Sequence, residues 1–142
     1  MVDRERVLAK LDALHGYERE LGVVLPGSLN DYKASLEKRR ATERLLQISV
    51  ECVLDICGLL VAGLRLGLPA EEENLFDRLE QALVFSPDLV RTLRAMRRFQ
   101  NILVHEHGAV DDEIVFRLAF RLSGDVKLFT TEVTRALSPP RA

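Results

Sequence analysis

The chain has 142 residues, 47% of them hydrophobic and 30% charged, with a formal net charge of −2. That length fits one domain with a real core, and the composition excludes long disorder. Near-neutral charge excludes a global basic field, so any nucleic-acid site must be a local patch.

The opening "MVDRERVLAKLDAL" is charged and amphipathic and has no apolar stretch of the kind a signal peptide carries. Its periodicity predicts a helix from about Asp3 to Glu20, with Val7, Leu11, Leu14 and Leu21 on the buried stripe. Pro26 and Gly27 in "GVVLPGSLND" break it. From Asp31 the pattern is helical again, with an irregularity near "LEKRRATE", and continues to about Gly67. Its second half is apolar on most sides, as expected of the central helix of a bundle. Leu45 to Leu64 is the most hydrophobic stretch, but Glu51 and Asp55 near its middle make it a poor membrane span. Cys52 and Cys57 lie in this run with neither a CxxC nor a zinc spacing. Buried free thiols suit a reducing compartment, and a soluble, cytoplasmic chain is expected.

"GLPAEEENLFDRLEQAL" opens a further helix with Pro69 and acidic residues that favour the positive helix end. Ser86 followed by Pro87 is a strong helix start, leading into "LVRTLRAMRRFQNILVH". Asp111 or Asp112 caps a helix carrying Ile114, Val115, Leu118 and Leu122, and Gly124 is expected to separate a last helix with Val126, Phe129, Val133 and Leu137. These elements predict an all-α antiparallel bundle of about five or six helices, a single domain over residues 1–137 with a frayed tail at 138–142.

The helix after Ser86 carries the candidate chemistry. On a wheel of about 100° per residue, Leu89, Leu93, Met96, Gln100 and Leu103 form one stripe. Arg91, Arg94, Arg98, Asn101 and His105 line the opposite side. Guanidiniums bind phosphate bidentately, and an imidazole exchanges protons near neutral pH, so this face suits a phosphate chain. From spacing alone, arginines opposite an apolar stripe are more often an ordinary solvated helix face. His105 and His107 make a weak metal pair, because neighbours at i and i+2 diverge on a helix. No serine or cysteine has a base partner suggested by sequence, which sets nucleophilic catalysis aside.

"FQNILVHEHGAVDDEIV" resembles the signature segment of the HepT-like branch of the HEPN-domain proteins. "RRATERLLQISVECVLDICGLLV" resembles that family's long central helix, and the similarity extends over essentially the whole chain. The resemblance implies an all-α bundle, commonly a symmetric homodimer, and a small nucleotidyltransferase of the MntA type as antitoxin partner. It implies metal-independent endoribonuclease activity with no cofactor, in which the ribose 2′-hydroxyl is the nucleophile. An imidazole would move the proton and an arginine would neutralise the phosphorane.

By this resemblance His105 takes the family's histidine and Asn101 its asparagine. Gln100 stands where the family's usual arginine does, and a neutral amide supplies no charge. Looser family motifs allow six residues between arginine and histidine, which Arg98 and His105 satisfy, about two turns apart on one face. Arg98 is thus the candidate phosphate-neutralising residue, His105 the acid/base, and Arg94, Asn101, Gln100 and His107 the candidate RNA contacts. His107 replaces a tyrosine that the antitoxin modifies in many members, and reads either as a second acid/base group or as a loop residue.

Glu43, Gln47, Glu51 and Asp55 form a further i, i+4 stripe, read either as a polar seam paired with neighbouring arginines or as groups orienting Arg98 or His105. Two functions stay open: an active toxin ribonuclease, or a catalytically weakened HEPN domain that binds a nucleotide or a partner.

Overall fold

Local capping chemistry cuts this chain into helices. Asp3, Ser28, Ser35 and Asp111 each accept a hydrogen bond from a backbone N–H two or three residues on, satisfying donors that a helix start leaves open. The computed structural model describes residues 1–67, 72–105 and 110–138, with backbone alone at 72, 73, 104 and 105. It contains α1 (Arg4–Val24), α2 (Leu29–Ala34), α3 (Leu36–Gly63), α4 (Glu72–Gln81), α5 (Pro87–His105) and α6 (Asp112–Leu137).

Three sequence expectations need correction. The irregularity near "LEKRRATE" is a full break: Ser35 is extended, ends α2 and caps α3 in one residue. α3 stops at Gly63 rather than near Gly67, because Arg65 adopts a left-handed φ of 57°. Arg65 N–H then donates to Ala62 O and Leu66 N–H to Val61 O, the hydrogen-bond pair of a Schellman motif. Gly124, in turn, separates nothing. α6 passes through it because Leu118, Leu122, Val126, Phe129 and Val133 keep one buried stripe across it. That burial outweighs the roughly 1 kcal/mol that a helical glycine costs. The expectations at Pro69, at Glu71 and for the frayed tail beyond Ser138 fall outside the described residues.

α3 is long and apolar enough to cross a membrane by length and composition. Here that surface packs against each of the other five helices. Leu46, Ile56, Cys57 and Leu60 are fully enclosed at the centre of a core that reaches from Val7 on α1 to Val133 on α6. Both cysteines are free; Cys52 Sγ donates to Lys10 O, and burial pushes both thiols above their ordinary range.

α5 is fixed to this frame by a buried carboxylate. Glu132 on α6, only 3% exposed, accepts from Ser86 N at 2.6 Å and from Ser86 Oγ at 2.7 Å. Ser86 Oγ also accepts from Leu89 N at 3.2 Å, so the predicted N-cap is present and is itself held by α6. Phe85 adds an edge-on contact with Phe129 at 5.8 Å beside it.

Two stability outcomes follow. Glu132→Ala leaves the Ser86 donors unpaired and should lower unfolding stability by about 2–3 kcal/mol in urea titration. Gly124→Ala should raise it by roughly 0.5–1 kcal/mol, since the glycine is exposed in a helix interior and an added Cβ meets nothing within 4 Å.

Candidate functional site

α5 presents the two faces that its sequence predicts. Leu89, Leu93, Met96, Gln100 and Leu103 are all buried, with Val90 and Phe99 beside them. Gln100 belongs to this inward stripe at 7% exposure.

The outward arginines differ in what they meet. Arg91 pairs with Asp88 one turn back at 3.2 Å. Arg94 forms an ion pair with Asp77 of α4, so its charge serves the α4–α5 contact. Arg98 is exposed and forms no ion pair among the described residues. Arg97, between the two faces, donates to the side-chain oxygen of Asn101, which leaves the Asn101 amide hydrogens as its donors. The sequence pattern gave Arg97 no role, because only the folded helix shows the i, i+4 contact. His105 is the last residue of α5, two turns beyond Arg98 on the same helix side. His107 lies outside the described residues.

The polar stripe on α3 does not orient Arg98. Glu43 receives Arg40 through both carboxylate oxygens, at 3.1 and 3.2 Å, and Gln47 receives Arg44 at 3.3 Å. Gln47 donates to Glu51 at 3.4 Å, and Asp55 receives Lys10 of α1 at 3.1 Å. The seam is therefore satisfied mostly within its own helix.

A cavity of about 280 Å³ opens where the first half of α3 meets the end of α5, walled by Arg40, Glu43, Arg44, Gln47, Leu103 and Val110. Nearby on α3, Arg39 forms an ion pair with Asp112 of α6 at 3.5 Å. A larger cleft of about 680 Å³ lies on another side of α5, lined by Ala95 and Phe99 together with Leu29, Phe116 and Phe120. Phe120 is 67% exposed at its edge.

Chemically, the outward side of α5 offers Arg98, a guanidinium with no ion pair among the described residues, together with an amide donor and a histidine position in sequence along two to three turns. That set can hold a phosphodiester and move a proton beside it.

A family model described as ribonuclease HepT-like matches residues 14–133. The tRNA nuclease HepT of Aphanizomenon flos-aquae (strain 2012/KM1/D3) is 32% identical over 89 residues, which are 63% of this chain and 60% of that protein. The match thus spans less than two thirds of that relative's length. Among solved structures, the tri-AMPylated Shewanella oneidensis HEPN toxin in complex with MNT antitoxin superposes with a TM-score of 0.84 at 21% identity, covering 95% of this chain and 99% of that one. YutE, a cytosolic protein of unknown function from Bacillus subtilis, superposes at 0.81 with 17% identity over 99% of this chain and 96% of its own. At these identities the structural likeness establishes a shared helical fold, while the sequence model covers most of the chain. The chain belongs to the HepT-like family.

Proposed function

We propose that this protein is a HepT-like toxin: a cytoplasmic, metal-independent endoribonuclease restrained by a nucleotidyltransferase antitoxin. The observation that carries this reading is the placement of Arg98, exposed and unpaired among the described residues, on the same side of α5 as His105. Family membership and the nuclease name of the curated relative support the reaction class. The toxin–antitoxin complex among the structural neighbours supports the partner class.

In this mechanism RNA supplies its own nucleophile, the 2′-hydroxyl next to the scissile phosphate. His105 takes or returns the proton, and Arg98 neutralises the charge that builds on the phosphorane oxygens. Asn101 donates to a phosphate oxygen from its free amide. Arg94 adds a contact when RNA displaces Asp77, since a partly exposed ion pair costs little to open. His107 is a further candidate RNA contact. Gln100, turned inward, supports the helix from beneath. A homodimer would bring two such faces together, and the apolar cleft edged by exposed Ile114 and Phe120 is a surface suited to pairing.

The competing reading, a weakened domain that binds without cutting, is motivated by the neutral, buried Gln100 at the family's arginine position. One assay decides between them: purified protein, single-stranded RNA and EDTA. Cleavage should fall by roughly 10²–10⁴ in His105→Ala and by roughly 10²–10³ in Arg98→Ala. A parent protein that leaves RNA intact would sink the enzyme reading, and parental activity in Arg98→Ala would remove Arg98 from it.

Stability separates the two α5 positions independently of activity. Arg98→Ala should shift unfolding by no more than about 0.5 kcal/mol, whereas Gln100→Ala should cost about 1–2 kcal/mol. The reverse order in urea titration would mean that their roles are exchanged.

A further inference from the structure

The cavity between α3 and the end of α5 has features that an ordinary solvated helix face lacks. It is concave, and two of its walls, Leu103 near the end of α5 and Val110 just before α6, belong to the signature segment itself. The basic groups along its other wall come from a different helix, α3. Arg40 and Arg44 stand four residues apart, on one side of α3, and both are exposed to solvent.

Their partners differ in a way that matters for binding. Arg40 is balanced by the Glu43 carboxylate. Arg44 is held by the Gln47 side-chain oxygen at 3.3 Å, and Gln47 is anchored in turn by Glu51 at 3.4 Å. An amide oxygen orients a guanidinium without cancelling its charge, and one accepted bond leaves most of the guanidinium's five N–H donors available. The Glu51 carboxylate lies seven residues along α3 from Arg44, reaches it only through Gln47 and is itself exposed, so it screens that charge only weakly. Glu43 is the unfavourable member for an anion, but Arg40 pairs with it, so the three charged side chains lining the cavity keep one net positive charge.

We propose that Arg44, oriented by Gln47 and reinforced by Arg40, forms a phosphate-binding subsite for the RNA backbone beside the reactive end of α5. The inference rests on the RNA-cleaving reading above, because that reading places the scissile phosphate along α5. It goes further in assigning the backbone of the same RNA to a second helix. A strand held at two points along its length is positioned for in-line attack more tightly than one held by α5 alone.

Binding tests this apart from cleavage. The probe is a fluorescent single-stranded oligoribonucleotide with 2′-O-methyl ribose, which removes the nucleophile, titrated by anisotropy in EDTA from 50 to 200 mM salt. Each lost phosphate contact to a single strand reduces the slope of log K against log salt by about 0.7. Arg44→Gln should lose about that much slope and weaken binding roughly fivefold at 0.1 M salt, with an unchanged thermal midpoint. Arg44→Lys should restore the slope. Lys127→Gln removes one charge about 22 Å along α6 from its start and should leave the slope unchanged. A parental slope in Arg44→Gln, equal losses in Lys127→Gln, or no binding by the parent would each overturn the subsite. A parent that binds the probe through Arg44 but cuts no unmodified RNA would refute the ribonuclease reading and leave the subsite standing.

Discussion

The carboxylate of Glu132 is the constraint on which the rest of the site depends. It is buried between α5 and α6 and takes both donors of Ser86, the backbone N–H and the hydroxyl. A carboxylate in that setting stays there only if its oxygens are satisfied, and Ser86 satisfies one with each donor. The hydroxyl in turn caps α5 through Leu89 N–H. The rotation of α5 about its axis is therefore set at its first turn by α6. Every outward residue further along, through Arg98 to His105, inherits that rotation. The Phe85 and Phe129 rings exclude water beside the bonds and strengthen them.

With α5 held in that rotation, charge is sorted by face. A guanidinium at Gln100 would have to enter the apolar stripe formed with Met96 and Leu103, where an unpaired charge costs several kcal/mol. An amide at the same place costs far less and still offers hydrogen bonds. On the outward face the arginines are free to differ, and neighbouring carboxylates decide their use. Asp88 and Asp77 take Arg91 and Arg94 into the architecture, the second tying α4 to α5. Arg98, next to the signature segment, is exposed and has no ion pair among the described residues.

Much of this was legible in the sequence because it is local. The inward stripe of α5, the Ser86 and Pro87 start, and the apolar central helix all follow from periodicity and capping, which depend on residues within about two turns. Gly124 looks like a boundary because glycine disfavours a helix interior, but the unbroken spacing of Leu122, Val126 and Phe129 carries the helix through it, and burial of that stripe wins. The end of α3 is not marked in the sequence because the left-handed residue that stops it is Arg65, a type that gives no such signal, while Gly67 does. Features that depend on distant pairs were not readable. Glu132 lies 46 residues from Ser86, and nothing in its own helix marks it as other than a surface glutamate. The neighbourhood of Arg44 and Leu103 likewise exists only once α3 and α5 pack.

The same packing explains how the site could survive without the family's usual arginine. What a phosphorane requires is positive charge at a fixed distance, and the helix from which that charge is supplied matters less than its rigidity. α3 is the most constrained element of the bundle, touching all five others, and α5 is clamped to α6 at its start. The two helices are therefore held in a fixed mutual geometry. On the proposed reading, Arg98 on the same helix supplies the charge that Gln100 lacks and Arg44 holds the strand from α3, without any change in the core that carries them.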